Sequence, residues 1–217
     1  MSSENSEEAK LLEILRTELP EKEGSPSAII FHGINGENYR DAESPSWYNP
    51  EEAAQVYLYL SKLYKCGLEP DDIGIITPYY KQVYMNILNK ILSFVKSLSS
   101  FSMKIICIKV VQIRDLLLEL NLKLPKISSV EAFQGQERKV IIISAVRSCN
   151  NLVAEDIKYS LGFVASPTRL NVAITRARAL LIILGNPKLL VLDPTWRSLL
   201  TYCIDCGGYT GCNFSLS

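Results

Sequence analysis

Two stretches constrain this chain more than any others. Val140–Val146 (VIIISAV) and Leu180–Leu184 (LLIIL) are apolar runs without strict alternation of polar and apolar residues. A strand with one face in water alternates; a strand covered on both faces does not. Such strands belong to a parallel sheet sandwiched by helices. Ala28–Phe31, ended by His32-Gly33, and Ile73–Ile76 read the same way. A helix is expected from Asn49: Asn49 can cap it, Pro50 suits its first position and Glu52 completes a capping-box pattern. Val56, Leu60, Leu63 and Tyr64 line one face of that helix, and Gly67 is a suitable stop. Strands alternating with helices imply an α/β domain built of right-handed crossovers. Ligands of such sheets gather at the carboxyl ends of strands, and the polar strings here follow strand signals.

The 217 residues are enough for one domain with a sizeable core. Hydrophobic residues make up 47%, which excludes a disordered chain. Lys and Arg total 23 and balance 23 Asp and Glu, which at first argues against a nucleic-acid partner. The balance is uneven along the chain. Residues 84–111 hold four lysines and no acid, so the remainder carries −4. Residues 1–23 hold seven acids and three bases, so the rest is close to neutral. The acidic opening has no apolar leader, and no apolar run reaches the ~18 residues of a bilayer span. A soluble, cytoplasmic protein with reduced thiols is expected. Cys203, Cys206 and Cys212 resemble part of a zinc site, but a fourth ligand is not at hand, so no metal site is expected. His32 reads as a structural histidine. Leu11, Leu12, Leu15 and Leu19 have helical spacing, residues 20–26 read as a linker, and residues 34–48 read as loop.

No G-x-x-x-x-G-K-[ST] phosphate loop occurs, and no Asp-Glu pair follows an apolar strand to hold magnesium. A self-sufficient ATPase is therefore excluded. Two polar strings stand out instead. In Ser128–Glu137 (SSVEAFQGQE), Gly135 permits close backbone approach, and Gln134 and Glu137 flank it with an amide and a carboxylate. In Arg169–Arg178 (RLNVAITRAR), Arg176 and Arg178 are two apart. On a helix they would point in different directions, which implies separate roles.

Three strings occur in order: Ile-Thr-Pro-Tyr-x-x-Gln at 76–82; Ser-Val-Glu-Ala-Phe-Gln-Gly-Gln-Glu at 129–137, leading to Ile-Ser-Ala-Val-Arg at 143–147; and Leu-Asn-Val-Ala-Ile-Thr-Arg-Ala-Arg at 170–178, leading to Leu-Gly-Asn-Pro at 184–187. They resemble motifs IV, V and VI of superfamily 1 helicases of the nonsense-decay type. Ile30–Gly33, Ser46-x-x-Asn49-Pro50-Glu51-Glu52-Ala53, Leu161-Gly162-Phe163 and Gly207–Cys212 resemble the Armitage-type RNA-silencing helicases.

The resemblance implies a RecA-like domain, of the P-loop NTPase-like kind, with a mostly parallel sheet and helices on both faces. It would be the second of two such domains and lacks its own phosphate loop. ATP with magnesium would be shared with a first domain, in cis or in trans. Arg176 matches the arginine finger at the γ-phosphate. Gln134, Gly135 and Glu137 match positions near the nucleotide, and Arg178 a neighbouring arginine. Thr77, Pro78, Tyr79 and Ser129 match contacts to the backbone of single-stranded RNA, which bind phosphate without reading bases. The implied activity is 5′ to 3′ movement on RNA, with RNA-silencing or decay proteins as partners, association with RNA granules and no membrane.

Residues 28–213 would form the domain, residues 1–27 an acidic helix and linker, and 214–217 a tail. The resemblance breaks at 84–111, where an insertion or a translated intron is expected. A chain without the first domain would be inactive alone. The competing reading is a catalytically inactive fragment that binds RNA or protein. A Rossmann dinucleotide binder is disfavoured, because no Gly-x-Gly-x-x-Gly follows a strand.

Overall fold

The computed structural model describes residues 28–40, 47–78, 82, 124–146 and 166–216. Six strands form one sheet in the order β5-β4-β6-β7-β1-β8, and every pair in it is parallel. The strands are β1 (Ile29–Gly33), β4 (Ile73–Ile76), β5 (Lys126–Ser128), β6 (Arg138–Ser144), β7 (Ala177–Gly185) and β8 (Tyr209–Gly211). The apolar runs Val140–Val146 and Leu180–Leu184 therefore fall on β6 and β7, side by side at the centre. Ile141 lies beside Leu181 and Ile143 beside Ile183. Two short strands, β2 (Tyr39–Arg40) and β3 (Trp47–Tyr48), form a separate antiparallel pair within the segment expected to be loop.

Alternate residues of each strand feed two cores. Ile30, Ile75, Val140, Ile142, Leu180 and Ile182 pack on one side with Val56, Leu60 and Leu63 of helix α1 (Pro50–Lys65). On the other side Phe31, Ile141, Ile143, Leu181 and Ile183 pack with Leu170 of α2 (Pro167–Ile174) and Trp196 of α4 (Pro194–Asp205). A short α3 (Pro187–Leu190) follows β7. This is the covered parallel sheet that the apolar runs require, and it is the RecA-like α/β arrangement.

Helix α1 starts where expected. The Asn49 side chain accepts the N–H groups of Glu51 and Glu52. The capping box does not close, however. The Asn49 backbone N–H donates to Gln82 Oε1 at 2.7 Å, and the Glu52 carboxylate turns to the end of β6. Gly67, at φ +83°, follows the Cys66 cap and ends the helix.

The strings at Ile30–Gly33 and Gly207–Cys212 meet at one end of the sheet. Phe31 N–H donates to Gly208 O, Cys212 N–H donates to Gly33 O, and the Tyr209 ring stacks on Phe31 with centroids 6.0 Å apart. Gly211, at φ +95°, sits directly on the Gly33 backbone, where any Cβ would collide with the Gly33 carbonyl. The segments at 1–27 and 84–111 lie outside the described residues.

Candidate functional site

The sequence places its polar strings at the carboxyl ends of strands. The structure divides them between two opposite edges. Arg138 N–H donates to Arg176 O at 3.0 Å, so the Gln134–Glu137 loop and the Arg176 turn lie together at the amino ends of β6 and β7. The reason is topological. After β5 the chain must cross back over the sheet before the parallel strand β6 can begin, so the loop ends at the amino edge. The two edges are separated by the length of β6, about 20 Å for seven residues.

On its way back to the amino edge, the chain makes a 3-10 turn (Glu131–Phe133) that buries Phe133 fully. Phe133 lies over Gly74 of β4: a Cβ on Gly74 would approach the Phe133 ring to 2.8 Å and Ile141 Cδ1 to 2.7 Å. Lys126 then clasps the turn. Its ammonium donates to Ala132 O at 2.7 Å and to Gln136 Oε1 at 2.8 Å, and lies 5.0 Å from the Phe133 ring centre. Gly135 adopts φ +70° with open space where a Cβ would stand. Gln134 and Glu137 are exposed.

Arg176 follows the Thr175 cap of α2 and is half-buried. Its Nε donates to Val172 O at 3.0 Å and its Nη2 to Thr175 Oγ1 at 3.0 Å. These bonds satisfy carbonyl and hydroxyl groups of the last helical turn. Two of its five N–H donors are used there. Arg178 is not helical, as the two-apart argument assumed, but is the second residue of β7. The register slips beside it: Arg138 pairs with Ala177, yet Val140 pairs with Leu180. A bulge of this kind re-aims side chains at a strand end. The edge thus offers Arg138, Arg176, Arg178 and an open glycine backbone, which suits an anionic phosphate group. Among the described residues no three His, Cys, Asp or Glu side chains converge as a metal site.

At the carboxyl edge, Thr77 follows β4 and is 1% exposed. Its N–H donates to Ser128 O at 3.1 Å, and its Oγ1 has no hydrogen-bond partner among the described residues. Leaving a buried hydroxyl unsatisfied costs about 1–3 kcal/mol. Pro78 is half-buried beside it, and Tyr79 lies outside the described residues. Ser129 bonds through its side chain to Glu131, whose carboxyl is held below its usual range by the surrounding hydrogen bonds and by Arg169. Arg169 pairs with Glu131 at 2.9 Å.

The same edge holds a polar network that the sequence did not announce. Glu52 is fully buried. Its carboxylate accepts the Ser144 hydroxyl at 2.6 Å and the Val146 N–H at 2.9 and 3.1 Å. Gln82 Nε2 donates to Ser144 Oγ at 3.2 Å and to Asn49 O at 3.1 Å. Asn49 Nδ2 reaches back to Glu52 Oε1 at 3.4 Å, which closes a ring. Burial pushes the Glu52 carboxyl up to about 7, against the pull of the Ser144 and Val146 bonds. Val146 has φ +70°, an outlier for a β-branched residue that costs roughly 1–3 kcal/mol.

His32 is occupied structurally: Nδ1 lies 2.9 Å from the Tyr59 hydroxyl, and burial lowers its pKa. Cys203 is packed in the second core, where burial raises its thiol to about 12, and the Tyr209 hydroxyl donates to Cys212 O at 2.7 Å.

A family described as an AAA domain matches residues 2–188. The chain belongs to that family. Within it, the chain is 40% identical over 215 residues to "Probable RNA helicase armi" of Drosophila melanogaster, covering 98% of this chain and 16% of that protein. It is 45% identical over 195 residues to "RNA helicase Mov10l1" of Homo sapiens, covering 88% of this chain and 14% of that protein. It is also 34% identical over 177 residues to "Regulator of nonsense transcripts 1 homolog" of Neurospora crassa, covering 82% and 14%. The chain therefore corresponds to about one-sixth of these relatives' length or less. The relatives include the Armitage type and the nonsense-decay type of RNA helicase, the two groups that the sequence strings resemble.

Proposed function

We propose that this chain is the second motor domain of an ATP-dependent RNA helicase that moves 5′ to 3′ on single-stranded RNA, in RNA silencing or RNA decay. The observation that carries this reading is the separation of the two edges. A phosphate-compatible edge with Arg176 lies about 20 Å from the edge with Thr77, across one rigid sheet. A motor needs that arrangement, because closure on the nucleotide at one edge must displace the groups that grip RNA at the other.

In this reading the first RecA-like domain holds ATP and magnesium with its own phosphate loop. This chain supplies Arg176 to the γ-phosphate across the cleft, and Gln134, Gly135, Glu137 and Arg178 line the nucleotide. An arginine offered to a developing phosphoryl charge is worth about 10³–10⁵ in rate. Thr77, Pro78, Tyr79 and Ser129 contact the RNA backbone. Residues 28–213 form the domain and 84–111 an insertion. The setting is the cytoplasm, with RNA granules and silencing or decay proteins as partners.

The test is reconstitution. The chain alone is expected to hydrolyse no ATP. Joined to the phosphate-loop half encoded with it, it is expected to show ATP hydrolysis stimulated by single-stranded RNA. A joined protein that binds RNA yet never hydrolyses ATP would favour the inactive binding fragment instead.

A further inference from the structure

The Glu52 ring is more than a helix start that happens to be buried. It ties three pieces of chain that come from separate parts of the sequence. Glu52 and Asn49 open α1, Ser144 and Val146 end β6, and Gln82 lies five residues beyond Thr77 in the motif IV string. Ile76 pairs with Ile143, so Thr77 leaves β4 beside Ser144. The ring therefore sits directly under the edge at which RNA is read in the proposed function, and the inference rests on that reading.

Its chemistry is directional. Glu52 accepts from the Ser144 hydroxyl and from the Val146 backbone, and both donors reach the same oxygen, Oε2. The 2.6 Å contact to Ser144 lies at the short end of the range for a hydroxyl donor. Val146 holds φ +70°, which a β-branched residue does not adopt unaided. Its N–H lies within reach of both Glu52 oxygens, and that bond holds the backbone there. Val146 is followed by Arg147, the last residue of the motif V string.

We infer that Glu52 is a positioning residue for RNA binding: it fixes the left-handed turn at Val146 and, through Ser144 and Gln82, locks the ends of β6 and the motif IV segment into one RNA-facing edge. It touches neither RNA nor nucleotide. Gln in its place keeps the volume, but with its oxygen toward Ser144 its NH2 faces two donors, the Val146 N–H at 3.1 Å and Asn49 Nδ2 at 3.4 Å, and loosens the hold on Val146.

The experiment uses the full helicase, with this chain joined to its ATP-binding half, and a fluorescent oligouridine as probe. Glu52→Gln is expected to weaken RNA binding about tenfold while leaving ATP KM in the absence of RNA within twofold. Adding Val146→Gly to that variant is expected to recover most of the lost affinity, because glycine takes φ +70° without help. A merely structural role would not give this rescue. Backbone hydrogen exchange at Val146 provides a second measurement in protein of native melting behaviour, and Glu52→Gln is expected to accelerate it. The inference is overturned if Glu52→Gln binds the probe as the parent does, or if Val146→Gly fails to restore affinity in a folded double variant. A parent protein that does not bind the probe at all contradicts the proposed function rather than the positioning role.

Discussion

The Arg138 N–H donates to the Arg176 carbonyl at 3.0 Å, and this bond joins the loop that carries Gly135 to the turn that carries Arg176. The two loops are 38 residues apart in sequence, counted between these positions. Parallel pairing of β6 with β7 brings their starts together, so Gly135 and Arg176 lie at one edge, while Thr77 lies at the other.

The support beneath that edge is steric. Gly74 leaves the space that Phe133 fills, and Phe133 anchors the turn before Gly135. Gly74→Ala places a methyl 2.7–2.8 Å from Ile141 and Phe133. Overpacking of this kind costs about 1–3 kcal/mol. The expected result is a lower urea midpoint with unchanged m-value, and Gly74→Val should be worse.

Lys126 is expected to matter to the nucleotide more than to the fold. Lys126→Met removes the bonds to Ala132 and Gln136 while keeping most of the aliphatic stem. The stability loss should be about 1 kcal/mol, typical of such bonds. In the reconstituted helicase, ATP KM is expected to rise several-fold with RNA affinity unchanged. Steady-state kinetics over a range of ATP concentrations checks this.

Glu52 makes stability depend on pH in an unusual direction. An ordinary glutamate titrates near 4.5, whereas buried Glu52 holds its proton to about 7. Between those values the folded state binds more protons than the unfolded state, so stability falls as pH rises through the window. The loss is up to about 3 kcal/mol. The side chains of Asn49, Gln82 and Ser144 that face it do not titrate. His32 works oppositely, since its lowered pKa costs stability as pH falls below 6.5. The difference between parent and Glu52→Gln in urea melts at pH 5 and pH 8 isolates the Glu52 part. The parent is expected to lose stability relative to the variant at the higher pH.

Much of the fold was legible because burial on both faces leaves a mark. Val140–Val146 and Leu180–Leu184 announced the two central strands, and Asn49-Pro50 announced α1. Glu52 was legible only as a cap residue. Local spacing predicts a bond to the Asn49 N–H, but Gln82 takes that donor, and the buried Glu52 finds its donor 92 residues away at Ser144. No local pattern encodes that. The three-edge order β7-β1-β8 was likewise invisible, because Gly33 and Gly211 meet only once the sheet is assembled. The candidate site residues stand in the motif strings, yet their division between two edges is not legible there. Thr77 and Ser129 stand at carboxyl ends, where the rule for such sheets places ligands, whereas Gly135 and Arg176 belong to loops that have already returned across the sheet. Arg178 escaped helical reasoning because α2 ends at Ile174 and a bulge follows.

Arg176 is the residue on which the account turns, and single-turnover ATP hydrolysis by the joined helicase with saturating RNA measures it most directly. Arg176→Ala is expected to slow the chemical step by about 10³-fold or more, while RNA affinity measured without nucleotide stays within twofold. Hydrolysis that persists at the parent rate in Arg176→Ala, or ATP hydrolysis by this chain alone that survives the substitution, would contradict the account.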